Sequence, residues 1–276
     1  MAVYGGVANR LAIARNTTMT RASANDAVRR QFGAAAMAYA TSSVHASGPD
    51  LAALVKAAAL TGRERVLDLG CGAGHTALAL APHAASVTAV DLTDEMLAVA
   101  AGLARQRSLD NITFKLADVA ALPFPADSFD LVVSRYAAHH FAAPDRALAA
   151  AARVLRPGGT FLLIDTVAPE DPALDTFFNT IELLRDDSHV RDWRGSEWVR
   201  MLNGAGFEAT IRERFAIGLD GASWVARMQT PPSRVAMLRE LFATASPTRR
   251  AAFEIQDTPW GLSIPVALMT AVASSQ

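Results

Sequence analysis

Apolar residues fall along this chain in short dense runs, parted by glycine-, proline- and acid-rich breaks. Val66 and Leu67 begin a short apolar strand that Asp68 closes, three glycines follow at Gly70, Gly72 and Gly74, and T-A-L-A-L-A after His75 turns helical. Further strands are predicted at Ser86–Asp91, Ile112–Leu116, Phe129–Ser134 and Thr160–Asp165, with helices over Asp94–Arg105 and Ala147–Leu155 between them. A strand, a glycine-rich turn and a helix form the nucleotide-grasping half of a doubly wound α/β domain. The glycines let the backbone turn tightly and admit a ligand close to main-chain N–H groups. The helix that starts there directs its positive end at an anionic part of that ligand.

The flanks are predicted to close and wall this core. Ala24–Ala40 reads as a helix with Val28, Phe32 and Met37 among alanines, and Pro49-Asp50 starts a second helix that runs to about Leu60. Asp165–Arg191 is acid-rich and reads as a helical insertion with Phe177 and Phe178. A helix continues over Glu197–Leu202 and a sixth strand over Gly206–Phe215. Arg227–Glu254 reads as two helices around Pro231-Pro232 and Pro247. Leu262–Val272 is a final strand, with Pro265 arguing for an irregular beginning. The reading is a flexible leader at 1–20 and one domain over 21–276. That domain comprises an N-terminal helical cap (21–61), a nucleotide-binding core (62–167) and a substrate-wall region (168–276).

Composition narrows the function classes. At 276 residues, half of them hydrophobic, the chain can bury a sizeable core. A formal net charge of −1 leaves no electrostatic footprint for nucleic acid or an anionic membrane. No uninterrupted apolar run is long enough to predict a transmembrane helix. The single cysteine, Cys71, excludes an internal disulfide and reads as packing inside the glycine turn. The histidines and carboxylates show no ligand spacing such as H-E-x-x-H, so no metal site is predicted. A cytoplasmic enzyme fits these properties.

The glycine turn differs from the dinucleotide fingerprint G-x-G-x-x-G, because its third glycine comes one residue early and Asp68 sits two positions before the first. D-x-G-x-G-x-G resembles motif I of the class I S-adenosylmethionine (SAM)-dependent methyltransferases. With V-D-L-T-D-E-M-L, A-D-V-A-A-L-P-F, R-Y-A-A-H-H-F and L-R-P-G-G, the stretch from Arg65 to Asp165 resembles the type 11 group of that family. Within the group it is similar to relatives of the ubiquinone/menaquinone-biosynthesis methyltransferases. The resemblance implies a Rossmann-like, mostly parallel sheet of seven strands, helices on both faces, and an antiparallel last strand.

It also implies where the donor sits. Asp68 and the backbone at Gly70, Cys71 and Gly72 would meet the amino-acid tail of SAM. Asp91, 21 residues beyond Gly70 and beside Leu92, would hold the ribose. Met96 would contact an adenine face, and Asp118, flanked by Ala117 and Val119, would accept the exocyclic amine. Ser134, at the end of the fourth strand, and Tyr39, in the cap, would complete the donor pocket; His45 is a second cap candidate. Arg135, Tyr136, His139 and His140 follow the fourth strand, where open α/β sheets form their ligand crevice. Arg135, Tyr136 and His139 are candidate substrate contacts, and His139 or His140 is the candidate base.

The predicted reaction is methyl transfer from SAM to a small-molecule acceptor, leaving S-adenosylhomocysteine (SAH), with the oligomeric state left open between monomer and homodimer. One alternative is a non-catalytic SAM-binding module. Another is an NAD-dependent oxidoreductase, which in its short-chain class wants a Y-x-x-x-K pair that no tyrosine here supplies.

Overall fold

The five apolar runs of the first half lie side by side. In the computed structural model, Arg65–Leu69 (β1), Ser86–Asp91 (β2), Ile112–Leu116 (β3), Phe129–Arg135 (β4) and Leu155–Thr166 (β5) pair in parallel in the order β3-β2-β1-β4-β5. The structure describes residues 21–42 and 46–274. The predicted leader and His45 lie outside the described residues. Inner strands are apolar on both faces because helices cover both: β1 is buried from Val66 to Leu69, whereas the edge strand β3 alternates.

Phe207–Asp220 (β6), Gln256–Asp257 (β7) and Trp260–Ala273 (β8) complete the sheet, with β8 running antiparallel between β5 and β6. Seven strands lie side by side across the sheet, as expected, and an eighth pairs off that path. The addition is β7, a two-residue strand folded back onto β8 and too short to leave a periodic signal. Pro265 does not disorder the start of β8: the ladder runs through it, pairing Ala216 with Pro265 and continuing to Asp220 and Gly261. Its carbonyl accepts from Val167 N–H just past the end of β5, so its missing N–H falls at the ladder's end. At β5 the phrase Arg156–Gly159 is not a turn between elements. Leu155 already pairs with Phe129, and Thr160 resumes with Leu131, leaving the intervening residues as an outward bulge.

The helices are α1 (Arg21–Ala40), α2 (Pro49–Ala58), α3 (His75–Leu80), α4 (Asp94–Gln106), α5 (Pro144–Val154), α6 (Pro172–Arg185), α7 (Gly195–Gly204), α8 (Gly221–Arg227), α9 (Pro232–Ala243) and α10 (Pro247–Ala252). Proline at the first turn starts five of them, where its missing N–H is no loss. Two helices, α9 and α10, fill the Arg227–Glu254 stretch as expected, each beginning at a proline, and α8 precedes them. On α1, Val28 is buried but Met37 is 71% exposed. Five residues separate Phe32 from Met37, about 500° of helix, which turns Met37 well off the stripe.

Strand order reverses between β1 and β4, since β2 and β3 extend one way and β5 the other. The carboxyl ends of β1 and β4 therefore part and leave a crevice between the glycine turn and the Tyr136–His140 loop. Gly70 sits at its narrowest point: with φ +66°, a Cβ there would lie 2.6 Å from Ala137 Cβ.

Candidate active site

A cleft of about 970 Å³, counting its open mouth, fills this crevice. Its base is the glycine turn, with His75 and Thr76 from the start of α3. Asp91, at the tip of β2, accepts from Gly72 N–H at 2.8 Å and Thr93 N–H at 3.0 Å. Burial pushes its pKa up, against the pull of these hydrogen bonds. Leu92 and Met96 line the cleft beside it. Asp118 and Val119 form the next wall, and the Asp118 carboxylate accepts from Ala120 N–H at 2.8 Å and from Asn25 Nδ2 on α1 at 2.9 Å. Helix α1 roofs the cleft with Asn25, Val28, Phe32 and Tyr39.

The residues present suit a SAM-shaped occupant. At Gly72 (φ +51°) a Cβ would meet nothing within 4 Å, so the backbone there is open to a ligand. His75 Nε2 lies 2.9 Å from Tyr39 carbonyl oxygen and must donate to it, which leaves Nδ1 as an acceptor. That Nδ1 is buried and has no partner among the described residues, in a side chain that lines the cleft. Cys71 also lines it, and burial lifts its thiol well above the usual range, so it stays uncharged.

Three predicted donor contacts are placed elsewhere. Asp68 lies beneath the turn, 1% exposed and outside the cleft lining. Burial carries its carboxyl up to about 7, with an opposing hydrogen bond from Ala77 N–H of α3. Ser134 is fully buried and donates to Leu69 carbonyl oxygen at 3.0 Å, tying β4 to β1. Ala117 follows β3 but stands outside the lining. Arg135, predicted to touch substrate, instead lines the donor cleft, where its Nε pairs with the buried Asp50 at 2.6 Å.

A second chamber of about 550 Å³, again counting its mouth, adjoins the cleft. Tyr39, Tyr136 and His140 line both spaces, and His139 lines the chamber alone. The other walls come from the chain's second half: Glu182 and Arg185 of α6, Trp224 and Arg227 of α8, and Ile217, Leu219 and Ile264 of β6 and β8. None of these was singled out in the sequence. Tyr136 adopts φ +53°, a left-handed conformation that is costly for an aromatic residue, so the loop between cleft and chamber is strained.

The two histidines differ sharply. His139 Nδ1 lies 2.6 Å from Asp165 Oδ1, and its backbone N–H reaches the other carboxylate oxygen at 3.1 Å. Burial acts to lower its pKa, but the Asp165 charge and hydrogen bond outweigh that and hold it up at about 9. His140 is pushed down to about 4 by burial and by the neighbouring His139 charge. Its Nδ1–H donates to Ser188 carbonyl oxygen at 3.0 Å. Asp192 joins this network through a short hydrogen bond from Thr166. His139, Asp165 and Asp192 place ligand atoms within 4.8 Å of one another, a grouping assembled by the fold that no local spacing announces.

A glycine bend after β1, an acid at the tip of β2 and a second acid after β3, all on one cleft at the switch point, define a SAM-dependent class I methyltransferase. Comparison with known proteins agrees. Residues 67–163 match the family model Methyltransf_11, described as a methyltransferase domain. The chain is 42% identical over 203 residues to the uncharacterized methyltransferase YcgJ of Bacillus subtilis, covering 74% of this chain and 80% of that protein. The uncharacterized protein YafE of Escherichia coli is 37% identical over 68% of this chain and 91% of its own length. The crystal structure of YcgJ superposes with a TM-score of 0.79 at 36% identity, covering 82% of this chain and 98% of that one. The chain belongs to the SAM-dependent methyltransferase family, and SAM is its cofactor. No helix among the described residues is long and apolar enough to cross a membrane.

Proposed function

We propose that the protein transfers the methyl group of SAM to the hydroxyl oxygen of a small-molecule acceptor held in the second chamber, with His139 as general base. The observation that carries this reading is the His139–Asp165 pair, 2.6 Å apart, on the wall of a chamber that shares Tyr39, Tyr136 and His140 with the donor cleft.

When bound, SAM supplies an electrophilic methyl carbon on a sulfonium leaving group. The chain's own work is then to position the acceptor and to take its proton. The Gly70 N–H and the open backbone beside Gly72 suit the donor's amino-acid tail, Asp91 its ribose and Asp118 its adenine amine. His139 Nε2 would take the acceptor's hydroxyl proton as that oxygen accepts the methyl group. Asp165 keeps the proton on Nδ1, so the proton that His139 exchanges is the one on Nε2, which leaves as pH rises through about 9.

Magnitudes favour a phenol-like hydroxyl. An ordinary phenol near pKa ~10 and an ordinary imidazole near ~6.5 differ by about 5 kcal/mol in proton affinity. With His139 at about 9, the gap to such a phenol falls to roughly 1.4 kcal/mol. An acceptor hydroxyl of this kind matches the base to its task. The test is methyl transfer from isotopically labelled SAM to a panel of small phenols, with wild type and His139→Ala side by side. Turnover in the wild type, with a loss of roughly 100-fold or more in the variant at unchanged SAH affinity, supports the reading. Equal turnover in both removes His139 as the base.

A further inference from the structure

The acceptor chamber, taken as such on the reading above, holds a guanidinium with no carboxylate in contact. Arg185 Nη1 pairs with Glu182 Oε2 at 3.1 Å, its Nε donates to Trp224 carbonyl oxygen at 3.2 Å, and its guanidinium lies 5.3 Å from the Trp224 ring centre. His139 is matched by Asp165. Arg227 has no such match. Its one side-chain hydrogen bond among the described residues is a long one, Nη1 to Ser42 Oγ at 3.4 Å. Its Nε is buried without an acceptor. Asp186, just past the end of α6, accepts from Ser188 N–H and Oγ–H and is not on the chamber wall. Residues 1–20 and 43–45 contain no Asp or Glu that could supply the missing charge.

A half-buried guanidinium with an unfilled donor, beside a second guanidinium, is an arrangement that repays an incoming anion. Burial, and then repulsion from Arg185, lowers the Arg227 pKa, outweighing the opposing pull of Tyr39 and Glu182. Beside Arg227 the wall formed by Ile217, Leu219, Trp224 and Ile264 is apolar and suits a compact hydrophobic body, while Thr166 and the two tyrosines line the rest. We infer that Arg227 is an anion-recognising residue of the acceptor chamber, so that the acceptor is an apolar molecule bearing a carboxylate as well as its methylated hydroxyl. A planar carboxylate fits the guanidinium fork, and Arg227 has no carboxylate in contact to compete with it.

The test is calorimetric titration of the full chain, with and without SAH, using benzoate and hexanoate against their uncharged partners benzamide and hexanamide. At least one carboxylate should bind roughly tenfold or more tightly than its amide, the scale of a charge-assisted contact. Arg227→Gln should erase that preference and leave SAH affinity within about twofold, while Arg227→Lys keeps part of it. The inference is overturned if neither pair shows a preference, including the case where nothing binds, or if the preference survives in Arg227→Gln. A protein that ignores SAH yet prefers carboxylates keeps this site and loses the donor reading. One that binds SAH without any carboxylate preference loses only this site.

Discussion

His139 Nδ1 stands 2.6 Å from Asp165 Oδ1, and that carboxylate is wholly buried at the end of β5. The imidazole is thereby fixed in orientation and held protonated at neutral pH, with its pKa at about 9. A base must be unprotonated to act, so kcat/KM should climb with pH and level off near pH 9. Asp165→Asn removes the charge that raises the imidazole. Its profile should bend at lower pH, toward the ordinary value of ~6.5, with a plateau reduced by roughly tenfold or more. A pH–rate series with the best phenol of the panel reads both effects. An unmoved bend would mean that Asp165 does not govern the titrating group.

His140 is expected to behave differently. Already neutral above about pH 4, it contributes no titration over the working range. His140→Asn should lower turnover, because the ring lines both cleft and chamber, yet leave the bend near 9 in place. If the bend moves with His140 and not with Asp165, the roles of the two histidines are exchanged.

Gly70 tests the turn. An alanine there meets Ala137 Cβ at 2.6 Å and must hold φ +66°, so Gly70→Ala should cost roughly 1–3 kcal/mol of stability. The shift that relieves the clash also displaces the cleft's base, and SAH affinity should fall by tenfold or more. Urea midpoints and calorimetry measure the two losses. A variant with parental stability and affinity would show the turn to be looser than described.

Much of this was legible in the sequence, for identifiable reasons. Four of the five parallel strands, all but the edge strand β3, are largely buried and appear as dense apolar runs, and the donor cleft assembles from the ends of β1, β2, β3 and β4. Asp91 and Asp118 could be placed because a short, fixed number of residues separates them from the strands that carry them. Asp68 and Ser134 sit at strand ends too, but their side chains turn into the protein, and the alternation of strand faces cannot be phased from one acid or one serine. Arg185, Trp224 and Arg227 could not be found, because the chamber is closed by elements far apart in sequence. Asn25 carried no signal either, as an amide on the buried side of an alanine-rich helix.

Asp68 carries a prediction about stability rather than catalysis. Burial lifts its folded-state carboxyl to about 7, above the ~3.8 expected unfolded, so the folded chain binds this proton more tightly. Its contribution is fully present below pH ~3.8 and is lost as pH rises through about 7, a change on the order of 4 kcal/mol. Asp68→Asn removes that loss. The difference in unfolding midpoint between variant and parent should therefore move in the variant's favour from pH 5 to pH 8. A constant difference would place the carboxylate in a better-solvated setting than its burial indicates.

The central claim is that the crevice at the β1–β4 switch point holds SAM by the glycine turn and Asp91, facing a separate acceptor chamber. Calorimetric titration of the unmodified chain with SAH and, separately, with NADH tests it most directly. The account predicts saturable one-to-one binding of SAH, weakened tenfold or more by Asp91→Asn, and no binding of NADH. Binding of NADH without SAH, or SAH binding indifferent to Asp91, would contradict it.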